Sequence, residues 1–409
     1  MFQIVAFLLI LGIDLYAFQS LKSVSANFGE SIKILIYIFY WLICIGLPLV
    51  MIVSFFQYSK IGLMPSWGRI SGSLFLSVLI TQLIVIVFLL GEDIFRIFYR
   101  IFSSLTQSNE AGNSFASRRK FLSQTAIIVA SVPFLSFIYG ITKGKFNYKV
   151  HRTILYLKDL PKAFEGYKIV QISDVHSGSY DDPEGVIKGI DLINEQDADL
   201  FVFTGDLVNT KADELDPWLD IFSKIQSKNG KYSILGNHDY GDYFDWQSKE
   251  DKLANFNKLL EYQKQIGFQL LLDEHVKITK GDDSINLIGV HNWGKKFGQR
   301  GDLDKAIIGM ESKGINILLS HDPTHFDSKV KDHQVHFHLT LSGHTHGAQM
   351  GVEFPFLKWS PVKYIYPKWA GLYSENGRYL YVNRGFGYLG FAGRVGIWPE
   401  ISVFELHSA

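Results

Sequence analysis

An apolar run leads directly into two potential metal ligands in the stretch Ile169-Val170-Gln171-Ile172-Ser173-Asp174-Val175-His176. A short, mostly β-branched run predicts a buried strand, and strands of an open α/β sheet present functional groups at their carboxyl ends. Farther along the chain, four more segments repeat this arrangement. Asp206 follows the run 200–203, Asn237 and His238 follow 232–235, His321 follows 315–319, and His344 and His346 follow 337–341. We therefore expect these side chains to meet at one edge of the fold.

The bulk composition separates the chain into two parts. With 409 residues, more than one domain is expected, and the apolar excess within the 47% hydrophobic content lies before about residue 141. All 13 histidines lie at or beyond His151, and the single cysteine, Cys44, excludes a disulfide within one chain. Lysine plus arginine and aspartate plus glutamate both number 40, so no basic excess supports a nucleic-acid partner. No obligate protein partner is inferred either.

Four apolar stretches predict a transmembrane region. They cover residues 2–18, 32–56, 74–90 and 121–141. Each is near the roughly 20 residues that a helix needs to cross the hydrocarbon core. We predict a transmembrane region of about four helices at 1–141, with the lipid bilayer as a partner, and one further domain at 142–409. Asp14 interrupts the first stretch, and we expect it to reach the membrane interface.

The basic residues between the third and fourth stretches set the expected orientation. They are Arg96, Arg100, Arg118, Arg119 and Lys120. Cytoplasmic loops carry such an excess, so the C-terminal domain is expected outside the cytoplasm, anchored by a multi-pass region in a bacterial inner membrane. The segment 117–122 also resembles a twin-arginine export signal. The alternative is an ordinary positive-inside cluster; no clear cleavage site follows, so the segment is expected to stay as an anchor.

The C-terminal part alternates predicted strands with helices. A first strand is predicted at 151–157, and amphipathic spacing predicts helices at 185–194, 217–225 and 253–266. Short strands and aromatic loops follow Gly343. This alternation predicts a layered α/β (α+β) fold.

The ligand types point to a reaction class. Mixed nitrogen and oxygen donors suit zinc, iron or manganese better than calcium. There are enough donors for two divalent ions, and two ions about 3.5–4 Å apart neutralise phosphate oxygens and activate water. A carboxylate is suited to bridge them, and Asp206 is the best candidate. The pattern therefore indicates metal-assisted hydrolysis of a phosphate ester.

The ordered set of five motifs resembles the calcineurin-like metallophosphoesterase family, over about residues 149–406. Three further motifs resemble the membrane-anchored bacterial branch of this family, whose members often carry a twin-arginine signal. They are Ser342-Gly343-His344-Thr345-His346-Gly347, Asn383-Arg384-Gly385-Phe386-Gly387 and Pro399-Glu400-Ile401. The resemblance implies a metallophosphoesterase-type β-sandwich flanked by helices, following the transmembrane helices.

The resemblance also implies a role for each matching residue. Two divalent metal ions (manganese, zinc or iron) would be bound, with Asp206 bridging them. The first ion would be held by Asp174, His176 and His346, and the second by Asn237, His321 and His344. His238 would face the substrate phosphate and stabilise the transition state or protonate the leaving oxygen.

One position departs from the family pattern. Many members carry an aspartate where this chain has Asn209, and that aspartate orients the catalytic histidine. Asp239 is a candidate substitute, and His291, at another strand end, is a candidate pocket residue. The remaining histidines are predicted not to bind metal; they include His275, His325, His333, His336, His338 and His407.

The sequence thus predicts a membrane-anchored, dinuclear-metal phosphoesterase that hydrolyses phosphate mono- or diesters, including lipid-linked or cell-envelope esters. Two alternatives remain open: a UDP-diacylglucosamine-type pyrophosphatase at the inner leaflet, and a non-catalytic metal-binding sensor or transport module. The aromatic stretch 354–373 adds a hypothesis, because tryptophan and tyrosine favour the membrane interface. Its rings either meet the bilayer and present a lipid-linked phosphate, or pack on the domain's own core.

Overall fold

The computed structural model describes residues 2–106, 112–311 and 314–409. The chain forms two compact units, one of Met1–Gln57 with Trp67–Thr142 and the other of Tyr58–Ser66 with Lys143–Ala409. Each unit has its own buried core.

The first unit is built from helices. They are α1 (Phe2–Ser25), α2 (Glu30–Ile61), α3 (Ser66–Thr106) and α4 (Gly112–Thr142). All four are long and apolar enough to cross a membrane. Leu35, Phe39 and Leu42 on α2 are exposed, as expected for side chains that meet lipid. The predicted membrane helices are therefore present in the described residues, and each continues beyond its apolar stretch.

Polar contacts join the helices of this unit. Asp14 is buried and accepts a hydrogen bond from Gln82 Nε2 at 2.7 Å, so the expectation that it reaches the interface is wrong. The reason is that α1 runs on to Ser25, which places Asp14 in the middle of the helix. Farther along α3, Asp93 and Glu92 pair with Arg119 of α4, whose Nη1 lies 2.6 Å from Asp93 and 3.2 Å from Glu92.

Among the residues that the structure describes, the second unit contains two six-stranded sheets and a separate hairpin. In chain order the strands are β1 (Lys149–Leu157), β2 (Tyr167–Ile172), β3 (Leu200–Phe203), β4 (Lys231–Ser233), β5 (Gln269–Leu270), β6 (Glu274–Lys280), β7 (Asp283–Gly289), β8 (Asn316–Leu319), β9 (Leu339–Ser342), β10 (Val352–Phe354), β11 (Leu357–Trp359), β12 (Gly371–Glu375), β13 (Arg378–Val382) and β14 (Glu400–Ser408). The first sheet has the order β1-β14-β2-β3-β4-β5 and the second β12-β13-β9-β8-β7-β6, while β10 and β11 form a separate two-stranded sheet.

The two sheets face each other across the main core. Alternate side chains of both sheets fill it, among them Ile169, Val202, Leu287 and Leu341. The helices α5 (Pro183–Asn194), α6 (Leu219–Phe222), α7 (Lys249–Ile266) and α8 (Leu303–Ala306) complete the unit. This arrangement confirms the predicted fold, a metallophosphoesterase-type β-sandwich with helices after an N-terminal helical region.

Two of the three helices predicted in the second unit differ from the structure by more than two residues. The segment predicted as a helix at 217–225 begins in a 3₁₀ turn, Ala212–Trp218, and continues as the short α6, after which the amides of Lys224 and Ile225 bond to carbonyls only three residues back. Helix α7 begins before residue 253, at Lys249, where the Ser248 side chain accepts from the Asp251 amide as an N-cap. The first turn of α7 is polar, so no apolar periodicity in the sequence marked the start of the helix.

Candidate metal centre

The two sheets direct the ends of their parallel strands to one rim. In the first sheet β2, β3 and β4 are adjacent and parallel, and in the second β8 and β9 are. Asp174 follows β2, Asp206 follows β3, and Asn237 and His238 follow β4. His321 follows β8, and His344 and His346 follow β9. The polar residues after the five predicted strands therefore come together.

The backbone turns sharply at most of these positions. Asp174, His176, Asp206, His344 and His346 all have positive φ, between 48° and 72°, a region that non-glycine residues rarely adopt. Such strain clusters at functional sites and persists only where the surrounding structure holds it.

Two glycines permit the close approach of the ligand side chains. A Cβ on Gly236 would lie 2.1 Å from Asp206 Oδ1, and one on Gly343 would lie 1.9 Å from Ser173 Oγ. Both positions therefore require glycine for steric reasons.

The first ligand group contains Asp174, His176 and His346. Each offers one ligand atom, and these atoms all lie within 4.8 Å of one another. His346 Nε2 is 3.3 Å from Asp174 Oδ1. All three residues are buried.

The second ligand group contains Asp206, His321 and His344, again with ligand atoms within 4.8 Å of one another. His321 Nε2 lies 3.1 Å from Asp206 Oδ2, and Asn237 Oδ1 lies 2.9 Å from His344 Nδ1. Asp206 Oδ2 is also 3.6 Å from His176 Nε2 of the first group. Asp206 is therefore the member of the second group that also approaches the first.

The donor atoms fit divalent cations. His176 Nδ1 and Nε2 and His346 Nε2 are buried and have no hydrogen-bond partner among the described residues. Buried polar atoms are normally paired, so atoms left without a partner need another explanation. A cation supplies one, because imidazole nitrogen and carboxylate oxygen together suit zinc, iron or manganese.

The electrostatics keep most of these imidazoles neutral. Burial lowers the pKa of His176 to about 3 and that of His344 to about 4, so their nitrogen lone pairs are available to a cation. Burial raises the pKa of Asp174 to about 6. Burial also opposes ionisation of Asp206, but the charge of His321, which lies 3.1 Å away, outweighs it and holds the pKa of Asp206 well below its usual value.

His238 stands beside the ligand groups without belonging to either. Its ring centroid is 4.9 Å from that of His176, and its backbone N–H donates to Asp206 Oδ1 at 2.9 Å. Nδ1 lies 2.7 Å from the carbonyl oxygen of Asn209. Because a carbonyl only accepts, Nδ1 carries the proton, and Nε2 is left for other chemistry.

The structure shows how the departure at Asn209 is accommodated. The backbone carbonyl of Asn209 orients His238, while its side-chain amide contacts Ser179 Oγ at 3.2 Å. Asp239 is not a substitute for the missing aspartate, contrary to the sequence-based suggestion. Its carboxylate accepts from the backbone N–H groups of Gly236, Asp206 and Leu207, at 2.8–2.9 Å, and so fixes the turns that carry the ligands.

His291, the candidate pocket residue, and the histidines predicted not to bind metal lie outside the two ligand groups. His291 Nδ1 is 2.9 Å from Tyr240 Oη, and both residues line a cavity of about 500 Å³ whose lining includes none of the seven candidate ligands. His275 Nδ1 is 2.8 Å from the Ala306 carbonyl, and His325 Nδ1 is 2.8 Å from Ser320 Oγ.

Three residues near the site were missed at the sequence level. Buried Asp322 places Oδ2 3.5 Å from His344 Nε2, and Tyr366 Oη lies 2.8 Å from the same nitrogen. Arg394 is fully buried and donates to the carbonyls of Arg384, at 2.6 Å, and His346, at 3.2 Å. The signal for Asp322 was its position beside His321; nothing in the sequence singled out Arg394.

Two family models match this chain. Residues 1–145 match the model described as "Probable Calcineurin-like phosphoesterase, transmembrane domain". Residues 167–348, which carry all seven candidate ligands, match the model described as "Calcineurin-like phosphoesterase".

Curated relatives agree with these matches. The uncharacterized metallophosphoesterase YkuE of Bacillus subtilis is 31% identical over 61% of this chain and 82% of its own length. A Danio rerio transmembrane protein with metallophosphoesterase domain is 26% identical, covering 77% of this chain and 70% of its own. An uncharacterized metallophosphoesterase of Helicobacter pylori is 28% identical, covering 76% and 78% respectively. The chain therefore belongs to the calcineurin-like phosphoesterase family.

Proposed function

We propose that this protein is a membrane-anchored phosphoesterase that uses two divalent metal ions. The observation that carries the proposal is the pair of ligand groups, with Asp206 of the second group also approaching the first. We assign residues 1–141 to the membrane region and 142–409 to the catalytic domain. The family assignment supports a hydrolase, and the four apolar helices support a membrane protein.

Each ligand receives a role in this proposal. One ion is held by Asp174, His176 and His346, the other by Asn237, His321 and His344, with Asp206 shared. When bound, the two ions supply charge that neutralises the phosphate oxygens and activates water. Manganese, zinc and iron are the candidates that the donor set favours.

His238 is the proposed catalytic residue. The Asn209 carbonyl fixes Nδ1 as the protonated nitrogen, so Nε2 is free to take and deliver a proton. Placed beside the ligand groups, it stabilises charge in the transition state or protonates the leaving oxygen. Asp239 and Asn209 hold the turns and the ring in position.

The proposed substrates are phosphate mono- or diesters, including esters linked to lipid or the cell envelope. The proposed location is a bacterial inner membrane with the catalytic domain outside the cytoplasm. Basic residues on the C-terminal part of α3 and the N-terminal part of α4 support this orientation; they are Arg96, Arg100, Arg118, Arg119 and Lys120.

The test uses the full-length protein purified in detergent, with manganese, zinc or iron(II) added after metal removal. Hydrolysis of p-nitrophenyl phosphate and bis-p-nitrophenyl phosphate is measured together with bound metal. We expect Asp206→Asn to reduce activity at least about 100-fold and to lower the metal content. The control is Asp304→Asn, whose side chain is 88% exposed and lies outside the site. Full activity in Asp206→Asn would contradict the proposal.

A further inference from the structure

The hairpin of β10 and β11 has its apolar face turned away from the domain. Val352 pairs with Trp359, Glu353 with Lys358, and Phe354 with Leu357. Paired residues share a face and successive residues alternate, so one face carries two apolar pairs and the other carries the Glu353–Lys358 pair.

The polar face is the one that contacts the domain. Glu353 Oε1 lies 2.5 Å from Arg384 Nη2, and Lys358 Nζ donates to the Ala370 carbonyl. Phe354, by contrast, is 58% exposed, and Phe356 in the connecting turn is 87% exposed. This is the reverse of a hairpin that packs its apolar side on a core.

A neighbouring turn extends the same exposed surface. The 3₁₀ turn Pro361–Tyr364 follows β11, and Trp359 Nε1 lies 3.5 Å from Tyr364 Oη. Tyr364 is 74% exposed, and the adjacent Ile365 is also exposed. We call Phe354, Phe356, Leu357, Trp359, Tyr364 and Ile365 the aromatic patch. Large contiguous apolar patches on a protein surface mark interaction sites.

The segment that carries the aromatic patch is fixed to the metal centre at its base. Ser360 Oγ donates to the Gly347 carbonyl at 2.7 Å, next to the candidate ligand His346. Tyr366 Oη lies 2.8 Å from His344 Nε2, and Trp369 is buried. The rings of residues 354–373 thus divide, with Tyr366 and Trp369 inside the domain and the aromatic patch outside.

We propose that the aromatic patch inserts into the surface of a lipid bilayer and brings lipid-borne phosphate esters to the metal centre. The inference rests on the proposed phosphoesterase function and names its substrate class. Phenylalanine, tyrosine and tryptophan rings with a nearby lysine, here the exposed Lys363, are the composition of interfacial segments. The chain's own apolar helices anchor every copy to a bilayer, so this apolar partner is always present.

Insertion is tested with the full chain in lipid nanodiscs that hold one copy each. Phe356→Cys is labelled with an environment-sensitive dye; the single native cysteine, Cys44, is buried. The matched control is Ile308→Cys, a position 75% exposed and outside the aromatic patch. We expect doxyl-labelled lipids to quench the dye at 356 at least twofold more than at 308. Equal quenching at the two positions overturns the proposal. If the dye at 356 is shielded only in a second preparation of discs that hold two copies each, a second chain covers the aromatic patch, and the proposal is overturned as well.

The substrate class is tested with two esters that share a leaving group. One is a dialkylglyceryl p-nitrophenyl phosphate in the disc, and the other is bis-p-nitrophenyl phosphate in solution. For Phe356→Ser with Ile365→Ser, we expect kcat/KM to fall at least tenfold on the lipid ester and to stay unchanged on the soluble one. An equal effect on both esters overturns the proposal. If the unmodified protein hydrolyses neither, the proposed function fails, while the quenching experiment still decides whether the aromatic patch inserts.

Discussion

At the scale of single residues, the site depends on backbone conformations that its own side chains disfavour. Five of the seven candidate ligands have positive φ, which orients them toward the rim. Asp239 compensates by accepting three backbone N–H groups from the turns at Gly236 and Asp206. The geometry of the candidate ligands is therefore held by a residue outside both ligand groups.

The proposed role of His238 separates catalysis from metal binding. We expect His238→Gln to lower kcat about 100-fold or more, because general acid–base groups contribute 10²–10⁴-fold, and to leave bound metal unchanged. Steady-state kinetics and elemental analysis of the same sample measure both. His275→Gln is the matched control, since His275 lies outside both ligand groups. Loss of metal together with activity would make His238 a ligand instead.

Asp322 and Tyr366 are proposed to position His344 through its Nε2. Partners of this kind fix the orientation of a ligating imidazole, and their loss weakens metal affinity about 10–100-fold. We therefore expect Asp322→Asn and Tyr366→Phe to shift the metal concentration for half-maximal activity upward by that factor. At saturating metal, kcat should return to within a few-fold of the unmodified protein. A kcat that stays low at saturating metal would contradict a positioning role.

The sequence predicted the candidate ligands because each follows an apolar run within a short motif. It could not predict that the Asn209 backbone, rather than a side chain, orients His238, since backbone carbonyls leave no signature in sequence. Asp322 and Arg394 were missed for a related reason. Their contacts depend on how β8, β9 and the loop after β13 meet in three dimensions.

At the scale of elements, strands were predicted better than helix ends. Apolar runs gave β2, β3 and β8 within one or two residues. The helix prediction at 217–225 was too long because the chain passes from α6 into i→i−3 turns after Phe222, and the start of α7 was missed because its first turn is polar. The inverted faces of the β10–β11 hairpin were beyond the sequence, because they depend on the contact of Glu353 with Arg384.

Strand β14 begins with a buried ion pair that supports this hairpin. Glu400 accepts from Arg384, which in turn binds Glu353. Burial opposes ionisation of Glu400, but the charge of Arg384 outweighs it and lowers the pKa to about 2. The folded-state pKa lies below the unfolded value, so the stabilisation is complete above about pH 4.5 and is lost as pH falls toward 2.

We therefore expect Glu400→Gln to destabilise the domain by about 3 kcal/mol at pH 7, since it removes the fully buried carboxylate that pairs with Arg384 and leaves that charge with the half-buried Glu353. The melting temperature should fall by roughly 6–12 °C, and the difference from the unmodified protein should shrink between pH 4.5 and 2. Thermal scans of the full chain in detergent measure both. Glu405→Gln, with its side chain 43% exposed, should change little. A difference independent of pH would show that the Glu400 charge is not responsible.

At the scale of the whole molecule, the chain divides its tasks between two units of different chemistry. The helical unit holds the apolar excess, and the other holds every histidine. Composition alone predicted this division, because a membrane region needs long apolar stretches and a metal centre needs polar donors.

Arg118 and Arg119 fit both a twin-arginine signal and a positive-inside cluster, and the structure gives each a contact. Arg119 pairs with Asp93 and Glu92, and the Arg118 guanidinium lies 3.7 Å from the Phe95 ring centroid. The contacts inside the helical unit and the positive-inside rule both depend on positive charge, which lysine supplies as well as arginine. A twin-arginine signal instead needs the arginines themselves.

Replacing both arginines by lysine therefore distinguishes the two roles. We expect a periplasm-dependent alkaline phosphatase fused after Ala409 to be active, and to keep at least about half of that activity when Arg118→Lys and Arg119→Lys are combined, since the charge is unchanged. Arg118→Glu with Arg119→Glu, which reverses the charge, should reduce it at least tenfold. Fusion-protein levels are matched by immunoblot. An inactive lysine variant at normal abundance would instead assign export to the twin-arginine signal, and an inactive unmodified fusion would place the catalytic domain in the cytoplasm.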